Sequence, residues 1–264
     1  MSLTPTLLRE LVAAGEHLRW LCDAYQQTQK LRVATGNRIQ AAARAADTPP
    51  AVPVLVSIEE CLVRAEHDLA DEMAVALRGH PAMPWLGHVR GVGPVLATKI
   101  LALIGNIERY DTVAKLWRYS GYGVTVRPCA ACRTTHASPR GCTRCHERGW
   151  TATRDRKERG RPLRYNERLK TALYQTAVSF VRSRSPYRAI YDAARERYEE
   201  REALRPVSER WSVAHCHQAA LRRMIKVFLL HLYLVWREAE GLPLPPAVPG
   251  VTPPDPWRFA QRHP

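Results

Sequence analysis

Two pairs of cysteines in the middle of the chain have the spacing of a metal site. Cys129 and Cys132 form one C-x-x-C pair, and Cys142 and Cys145 form a second pair after nine intervening residues. Each pair can place two thiolates on one ion, and two pairs complete a tetrahedral Zn²⁺ site. Four protein ligands leave no open position for water, so the spacing predicts one structural zinc ion rather than a catalytic one.

The other histidines and cysteines leave alternatives open. His136 and His146 lie in the same stretch and could replace a thiolate, and four free thiols are the remaining interpretation. Cys22, Cys61 and Cys216 are scattered over helical patterns. In an intracellular protein this distribution indicates three buried thiols and no disulfide framework.

The cysteines lie in the most basic part of a basic chain. Between Arg127 and Lys170 there are thirteen Lys or Arg residues and four Asp or Glu residues, and the whole chain has a formal net charge of +15. A solvated face normally mixes both signs, so this excess predicts a polyanionic partner, with nucleic acid favoured over an acidic protein or a membrane surface. Trp150 and Tyr165 are interleaved with the cations and could stack on bases. Zinc would then make a rigid platform from a loop too basic to fold alone.

The segment VRGVGPVLA, residues 89–97, predicts a second kind of phosphate contact. Gly91 and Gly93 permit the tight turn of a helix-hairpin-helix motif, and Pro94 can occupy the first turn of the following helix. Free amides at such a helix start can bind a phosphate without reading sequence. The alternative is an ordinary turn between two helices.

The final helix divides into a basic half and an apolar half. Its first half could contact phosphate, and its second half, VFLLHLYLVW, predicts core. Together with the preceding segments, the residues predicted to contact nucleic acid are Gly91, Gly93, Lys99, Arg127, Arg154, Arg156, Arg161, Arg164, Tyr165, Arg168, Lys170, Arg182, Arg184, His215, His217, Arg222, Arg223 and Lys226.

The sequence offers no recognisable catalytic arrangement. It contains no Walker loop and no nucleophile elbow, and its acidic residues lie on helical patterns flanked by other charges. No apolar run reaches the length of a membrane span, and the start lacks a signal-peptide layout. We therefore expect a non-enzymatic protein of the cytoplasm.

The periodicity predicts a mainly α protein. One long helix covers residues 5–46, and a second runs from an N-cap at Ser57 to Gly79, so the two should pack antiparallel. Later helices begin near Tyr165, in SPYRAIYD and in SERWSVAH, and no strand is predicted outside the metal knuckle. The predicted domains are a helical hairpin at 1–79, a helix-hairpin-helix part at 80–126, a zinc knuckle insert at 127–150, further helices at 151–240 and an extended Pro-rich tail at 241–264.

From RGVGPVLATKILALIGNIERYDTVAKLWRYSGYG onward the sequence resembles the C-terminal domain of bridge-RNA-guided insertion-sequence transposases of the DEDD family. Those proteins carry a Gly-Ile-Gly-Pro hairpin, an Ile-Gly-Asp-like turn and an Ala-Gly-Leu segment, which match residues 91–94, 104–106 and 120–122 here. Two features depart from that family. The RuvC-like domain that supplies its metal-binding acids is missing, and the metal knuckle occupies the region of its nucleophilic serine, where Ser138 precedes a proline.

A closer resemblance is to the Tas proteins, RNA-guided DNA-binding relatives with a coiled coil and a Nop-type domain. The matching stretches are LWRYSGYG, LRYNERLKTALYQTAVSFVRSRSPYRAIYD and the final helix. The resemblance implies a long helical hairpin, a Nop-like domain that holds a structured guide RNA, and pairing of two chains through their coiled coils. Some members carry a fused nuclease, and this chain resembles those without one. The resemblance also implies a prokaryotic or phage context.

These observations predict a zinc-stabilised RNA-binding protein that uses a small guide RNA to recognise DNA and has no nuclease of its own. Base pairing would choose the target, while the protein recognises backbone and shape. One alternative is a degenerate or trans-acting transposase or recombinase that uses Ser120 or Ser138. A second alternative is a DNA-binding regulator that works without RNA.

Overall fold

The computed structural model describes residues 5–45, 50–123, 125–126, 137–138, 141–142, 152–153, 160, 163–245 and 255–260; for residues 5–14, the strands and residue 260 it describes the backbone alone. The protein is mainly helical, as the periodicity predicts. The helices are α1 (Pro5–Ala43), α2 (Val52–Ala76), α3 (Met83–Leu86), α4 (Pro94–Ile104), α5 (Val113–Tyr119), α6 (Glu167–Arg182), α7 (Arg188–Ala203), α8 (Val213–Ala239) and α9 (Pro256–Ala260), with 3-10 turns at Ile107–Arg109 and Val207–Glu209. None of the described helices is long and apolar enough to cross a membrane.

The chain divides into two compact units. The first unit contains residues 1–83 and 92–106, and the second contains residues 84–91 and 107–264. The boundary therefore runs through the predicted helix-hairpin-helix segment. Gly91 belongs to the second unit, and Gly93 with the whole of α4 belongs to the first.

In the first unit, α1 and α2 lie side by side in opposite directions. Leu21 and Tyr25 of α1 share a buried cluster with Met73 of α2, and further along α1 the guanidinium of Arg32 lies 2.7 Å from Glu66 Oε1. The helix α4 packs against both α1 and α2. Its residues from Ala97 to Ile104 are all buried, because nearly every one of them is apolar.

Two predictions for α2 are wrong. The helix begins at Val52, not after Ser57, because Pro53 lies in the first turn, where a missing N–H costs nothing. Cys61, predicted to be a buried thiol, is exposed on the outer side of α2, whereas Cys22 and Cys216 are buried as predicted.

The second unit is organised around α8. Its buried side follows the helical period through Met224, Phe228 and Leu232, and the helices α5, α6, α7 and α9 contact it. An aromatic cluster occupies the centre, where Phe228 lies edge-on to Phe180 and Tyr187 at 5.2 and 5.5 Å between ring centroids. The apolar second half of α8 is therefore core, as its sequence predicts.

Four strands of two residues each are described. Two lie within the predicted knuckle, and two lie just outside its predicted bounds, at 125–126 and 152–153, where no strand was predicted. β1 (Thr125–Val126) pairs antiparallel with β4 (Ala152–Thr153), and β2 (Ala137–Ser138) pairs antiparallel with β3 (Gly141–Cys142). The pairing of β1 with β4 brings the two ends of the insert together at its base. Of the four predicted zinc ligands, Cys142 lies in β3, and the other three are outside the described residues.

The Pro-rich tail differs from its prediction at its far end. The described part next to α8, residues 242–245, has no regular structure, but residues 256–260 form the short helix α9. Asp255 starts this turn, since its Oδ1 accepts a hydrogen bond from the amide of Trp257 at 2.9 Å. Pro256 fits the first helical position, where proline is favoured.

Candidate nucleic-acid interface

The loop after α5, residues 120–123, is fixed by contacts from three helices. Gly121 has a φ of +75°, and a Cβ there would lie 2.9 Å from both Tyr165 Cδ2 and Lys170 Cδ, so only glycine fits. Arg222 of α8 donates hydrogen bonds to the carbonyls of Tyr122 and Gly123, the latter at 2.6 Å. The loop thus connects the start of α6 to the basic half of α8.

Trp117 and Lys226 form a second link between α5 and α8. The indole N–H of Trp117 donates to the Lys226 carbonyl at 3.1 Å, and Lys226 Nζ lies 3.9 Å from the centre of the Trp117 ring. Burial, and then the charges of Arg222 and Arg223, lower the pKa of Lys226. Three cations therefore stand close together on α8, and an anion placed there would relieve their mutual repulsion.

The start of α6 carries the next cations. Asn166 caps the helix by accepting a hydrogen bond from the Leu169 amide at 3.0 Å, and its own amide group donates to Tyr119 Oη. Lys170 Nζ lies 4.4 Å from the centre of the Tyr165 ring, and Arg164 is exposed just before the cap. An aromatic ring and two cations therefore lie close together at this point, and the predicted stacking of Tyr165 on bases stays a prediction.

Acidic residues are absent from α6 beyond its first position. Residues 168–191 contain no Asp or Glu. Six cations, four of them on or beside α6 and two on α8, have no carboxylate partner within the described residues. We call them the unpaired cations: Arg164, Lys170, Arg182, Arg184, Arg223 and Lys226. At about 1.5 Å per residue, α6 alone is roughly 24 Å long, which matches several nucleotide steps.

The neighbouring helix α7 shows the opposite arrangement. Most of its arginines have carboxylate partners, such as Arg188 with Asp192 at 3.2 Å and Arg195 with Glu199 at 2.7 Å. Arg197 is the exception among the described residues, and it lies over the Tyr198 ring. Glu202, almost fully buried, accepts from Arg201, Arg205 and the backbone amide of Trp211. Three of the four arginines of α7 are therefore paired with carboxylates within the protein, while the unpaired cations are not.

Several predicted contact residues have structural partners of their own. His217 Nδ1 lies 2.7 Å from Tyr191 Oη, and His215 stacks on Trp211 with 4.1 Å between ring centroids. Arg222 is held by the two loop carbonyls described above. These three side chains shape the second unit, and only their remaining surface is open to a partner.

Lys99 departs from its predicted role. It is 6 % exposed in the first unit, and its ammonium lies 5.1 Å from the centre of the Tyr25 ring. Burial lowers its pKa, while Cys22 and Glu66 act in the opposite direction. Because α4 is buried on nearly all sides, a cation at this position faces the core and not a phosphate.

The predicted glycine turn is divided between the units. Gly91 has a φ of +95°, and its carbonyl accepts a hydrogen bond from Ser179 Oγ at 2.7 Å in the second unit. Gly93 is the N-cap of α4 in the first unit, and a Cβ there would meet no atom within 4 Å. The start of α4 is therefore sterically open.

Part of the predicted site lies outside the described residues: Arg127, Cys129, Cys132, Cys145, Arg154, Arg156 and Arg161. Arg168 is exposed on α6 beside the unpaired cations. Among the described residues no group of three or more His, Cys, Asp or Glu side chains could hold a metal ion. The zinc prediction thus stays a prediction.

Sequence reasoning missed Trp117, which supports Lys226 from a position more than a hundred residues earlier. No local pattern signals that contact, because it depends on how α5 packs against α8. The acid-free run beyond Lys170 was readable from the sequence, and it extends the basic segment to the end of α6.

The hydroxyl of Ser120 is withdrawn from the surface. Its residue is fully buried, and Oγ donates to the Trp117 carbonyl at 3.1 Å within the last turn of α5. In this arrangement Ser120 Oγ cannot reach a bound phosphodiester.

Comparison with protein-family models and with curated proteins gave no match for the chain.

Proposed function

We propose that this protein binds a small guide RNA on the second unit and uses it to recognise DNA, without cutting that DNA. The observation that carries the proposal is the set of unpaired cations on and beside α6 and on α8, next to a helix, α7, in which three of the four arginines are paired with carboxylates. Unneutralised cations on ordered helices favour a polyanion, whose bound counterions are released on contact.

The choice of RNA and of guided recognition follows from the resemblance to Tas proteins. Within that proposal the second unit corresponds to the Nop-like domain, and the α1–α2 pair corresponds to its coiled-coil arm. Tyr165, held against Lys170, and the loop 120–123 support contacts with unstacked bases and sugar–phosphate, as single-stranded RNA requires. Target choice would then rest on base pairing and not on side chains.

The exposed apolar residues of α1 and α2 support pairing of two chains through this arm. Eight large apolar side chains on these helices are at least a third exposed, namely Trp20, Leu31, Val33, Val54, Val56, Ile58, Val63 and Val75. Large apolar side chains exposed on a helix pair favour a partner that removes them from water. A homodimer built on the arm would cover it.

The zinc proposal rests on the donor set and on the strand pairing. Four thiols in two C-x-x-C pairs suit Zn²⁺, and the pairing of β1 with β4 closes the segment that carries them. Bound zinc would supply rigidity, and the cysteines would hold it as thiolates. The knuckle would then present its arginines to nucleic acid.

Purified protein should contain about one zinc per chain. The double substitution Cys129→Ser and Cys132→Ser should release the metal and weaken RNA binding, while circular dichroism retains most of the helix signal. Cys61→Ser, at an exposed cysteine of α2, is the control and should keep the metal. Elemental analysis without zinc, or a knuckle variant that binds RNA normally, would contradict this role.

The recombinase alternative finds less support. Ser120 is buried and bonded to its own helix, although Ser138 keeps the alternative open because its side chain lies outside the described residues. A regulator that binds DNA directly would use the same unpaired cations. The nucleic acid that accompanies the protein distinguishes these functions.

The deciding experiment is to purify the protein from its host and sequence the nucleic acid bound to it. A uniform small RNA supports guided recognition, and with that RNA the protein should retain matching DNA over mismatched DNA and leave both strands uncut in Mg²⁺ or Mn²⁺. Clean protein that protects one DNA site supports the regulator. Strand breaks that disappear in Ser138→Ala or Ser120→Ala would restore the recombinase.

A further inference from the structure

The helix α9 lies in an aromatic groove of the second unit. The ring of Phe259 packs against Tyr187 and His231, with 5.0 Å between centroids in each case. Trp85, fully buried, donates its indole N–H to the carbonyl of Pro256 at 3.0 Å. The two groove residues under Phe259 are also hydrogen-bonded to each other, since Tyr187 Oη lies 2.6 Å from His231 Nδ1.

The segment in the groove is a self-contained motif. Asp255 caps the turn, Pro256 occupies its first position, and Phe259 follows three residues later. Trp257 and Arg258 point away from the groove; Trp257 is 46 % exposed. Asp and Pro fix the turn before it docks, so little conformational entropy is lost on docking.

The contacts of α9 are few for a structural element. A helix of five residues has no stability of its own, and among the described residues its attachment rests on one half-buried aromatic ring and one hydrogen bond. The chain between Ala239 and Pro256 is long enough to extend on the order of 50 Å, so the segment can leave the groove without moving α8. Because residues 255–260 are covalently linked to α8, their effective concentration at the groove is about millimolar, which is sufficient for a weak ligand to stay bound.

We propose that the groove formed by Trp85, Tyr187 and His231 is a peptide-binding site for a capped aromatic turn of the form Asp-Pro-x-x-Phe, and that residues 255–260 are its tethered, releasable ligand. The ligand provides a carbonyl to the Trp85 indole and an aromatic ring to Tyr187 and His231. A partner polypeptide that displays the same turn docks by displacing the tail. This site is separate from the unpaired cations and does not depend on the proposed RNA binding.

The test uses a fluorescent peptide of residues 252–264 and two full-length receptors. The Phe259→Ala chain keeps the groove but holds its own tail weakly, so it should bind the peptide at least about tenfold more tightly than the wild-type chain, whose tail competes. A peptide with Phe259→Ala should lose at least about tenfold in affinity. A peptide with Trp257→Ala is the matched control and should stay within about threefold.

Failure of the Phe259→Ala chain to bind the peptide up to millimolar concentration would overturn the proposal, as would equal losses from the Phe259 and Trp257 peptides. Hydrogen exchange of the wild-type chain provides a second readout that does not depend on a variant. The amides of 257–260 should exchange much faster than those of the middle of α8 and faster still with added peptide. Protection of α9 equal to that of α8 would make it an integral part of the core and contradict the proposal.

Discussion

Lys99 and Lys226 show how surroundings decide what a cation does. Lys99 of α4 is buried in the first unit and faces the ring of Tyr25 on α1, so its ammonium group interacts with that ring and not with solvent. Lys226 also rests on an aromatic ring, that of Trp117, but it shares its surroundings with two arginines and remains partly exposed. An anionic partner therefore has a reason to bind near Lys226 and none to approach Lys99.

A half-buried histidine, His80, gives the first unit a pH-dependent stability. Burial lowers the pKa of His80 to about 4, and its Nδ1 accepts a hydrogen bond from the Ala82 amide, which requires the neutral ring. Because the folded pKa lies below the unfolded value near 6.5, this contribution is fully present above pH 6.5 and is lost as the pH falls toward 4.

The free energy of unfolding should fall by up to about 3 kcal/mol across that window. His80→Asn preserves an acceptor for the Ala82 amide and should remove most of this dependence when unfolding in urea is followed at several pH values. His67→Asn, at an exposed position of α2, should keep it. An unchanged pH profile in His80→Asn would show that another group causes the loss.

At the scale of elements, the cap of α6 holds the candidate site together. Asn166 accepts from the Leu169 amide, donates to Tyr119 Oη, and its backbone amide bonds to the Tyr119 carbonyl at 2.7 Å. One residue thus caps the helix and joins it to the last residue of α5, which directly precedes the loop 120–123. Damage at this cap should displace Lys170 relative to that loop.

Asn166→Ala should lower the free energy of unfolding by about 1–2 kcal/mol, since a helix cap and a second hydrogen bond are both removed. Asn166→Asp keeps the cap but has no donor for Tyr119, so it should lose less. Urea unfolding of both variants measures the difference. Equal losses in the two variants would mean that the side-chain cap contributes little.

Local patterns predicted most elements but not their tertiary roles. The periods of α1 and α6–α8 and the four-residue separation of charges along α7 are readable in the sequence. The start of α2 was mispredicted because a proline can either end one helix or occupy the first turn of the next, and the local sequence fits both interpretations. The burial of Lys99 and the docking of Phe259 were missed, since both depend on residues far away in the chain. The arginine–carboxylate pairs of α7 are different, since their partners lie only one to four residues apart in the chain.

At the scale of the whole molecule, exposed apolar surface concentrates on α1 and α2. Val54 and Ile58 lie one turn apart on α2 and are 62 % and 42 % exposed. On the proposed arm these residues would meet a second chain. Leu204, 90 % exposed in the second unit, is a suitable comparison because it lies outside the arm.

Light scattering of the RNA-bound protein should therefore give the mass of two chains. The double substitution Val54→Glu and Ile58→Glu should give one chain per complex, because pairing would bury two charges per chain in the interface between the arms. Leu204→Glu should leave the pairing intact. A wild-type protein that stays monomeric with RNA bound would remove the pairing role of the arm.

Charge distribution within the second unit allows a matched pair of variants for the central claim. Arg164, Arg182 and Arg223 are exposed and have no carboxylate partner among the described residues. Replacing all three with Gln removes three positive charges. The control removes the same number from residues whose guanidinium groups pair with carboxylates, namely Arg188, Arg195 and Arg205.

The salt dependence of RNA affinity compares these two variants most directly. Each lost phosphate contact reduces the log–log slope by about 0.7–0.9, so the triple change at the unpaired cations should flatten the slope by roughly two to three. The loss should be similar for different RNA sequences, because phosphate contacts position a ligand without specifying it. The control variant should change the slope by less than about one. Equal slopes for the two variants, or a slope unchanged from the wild type when the unpaired cations are removed, would contradict the proposal that this surface binds nucleic acid.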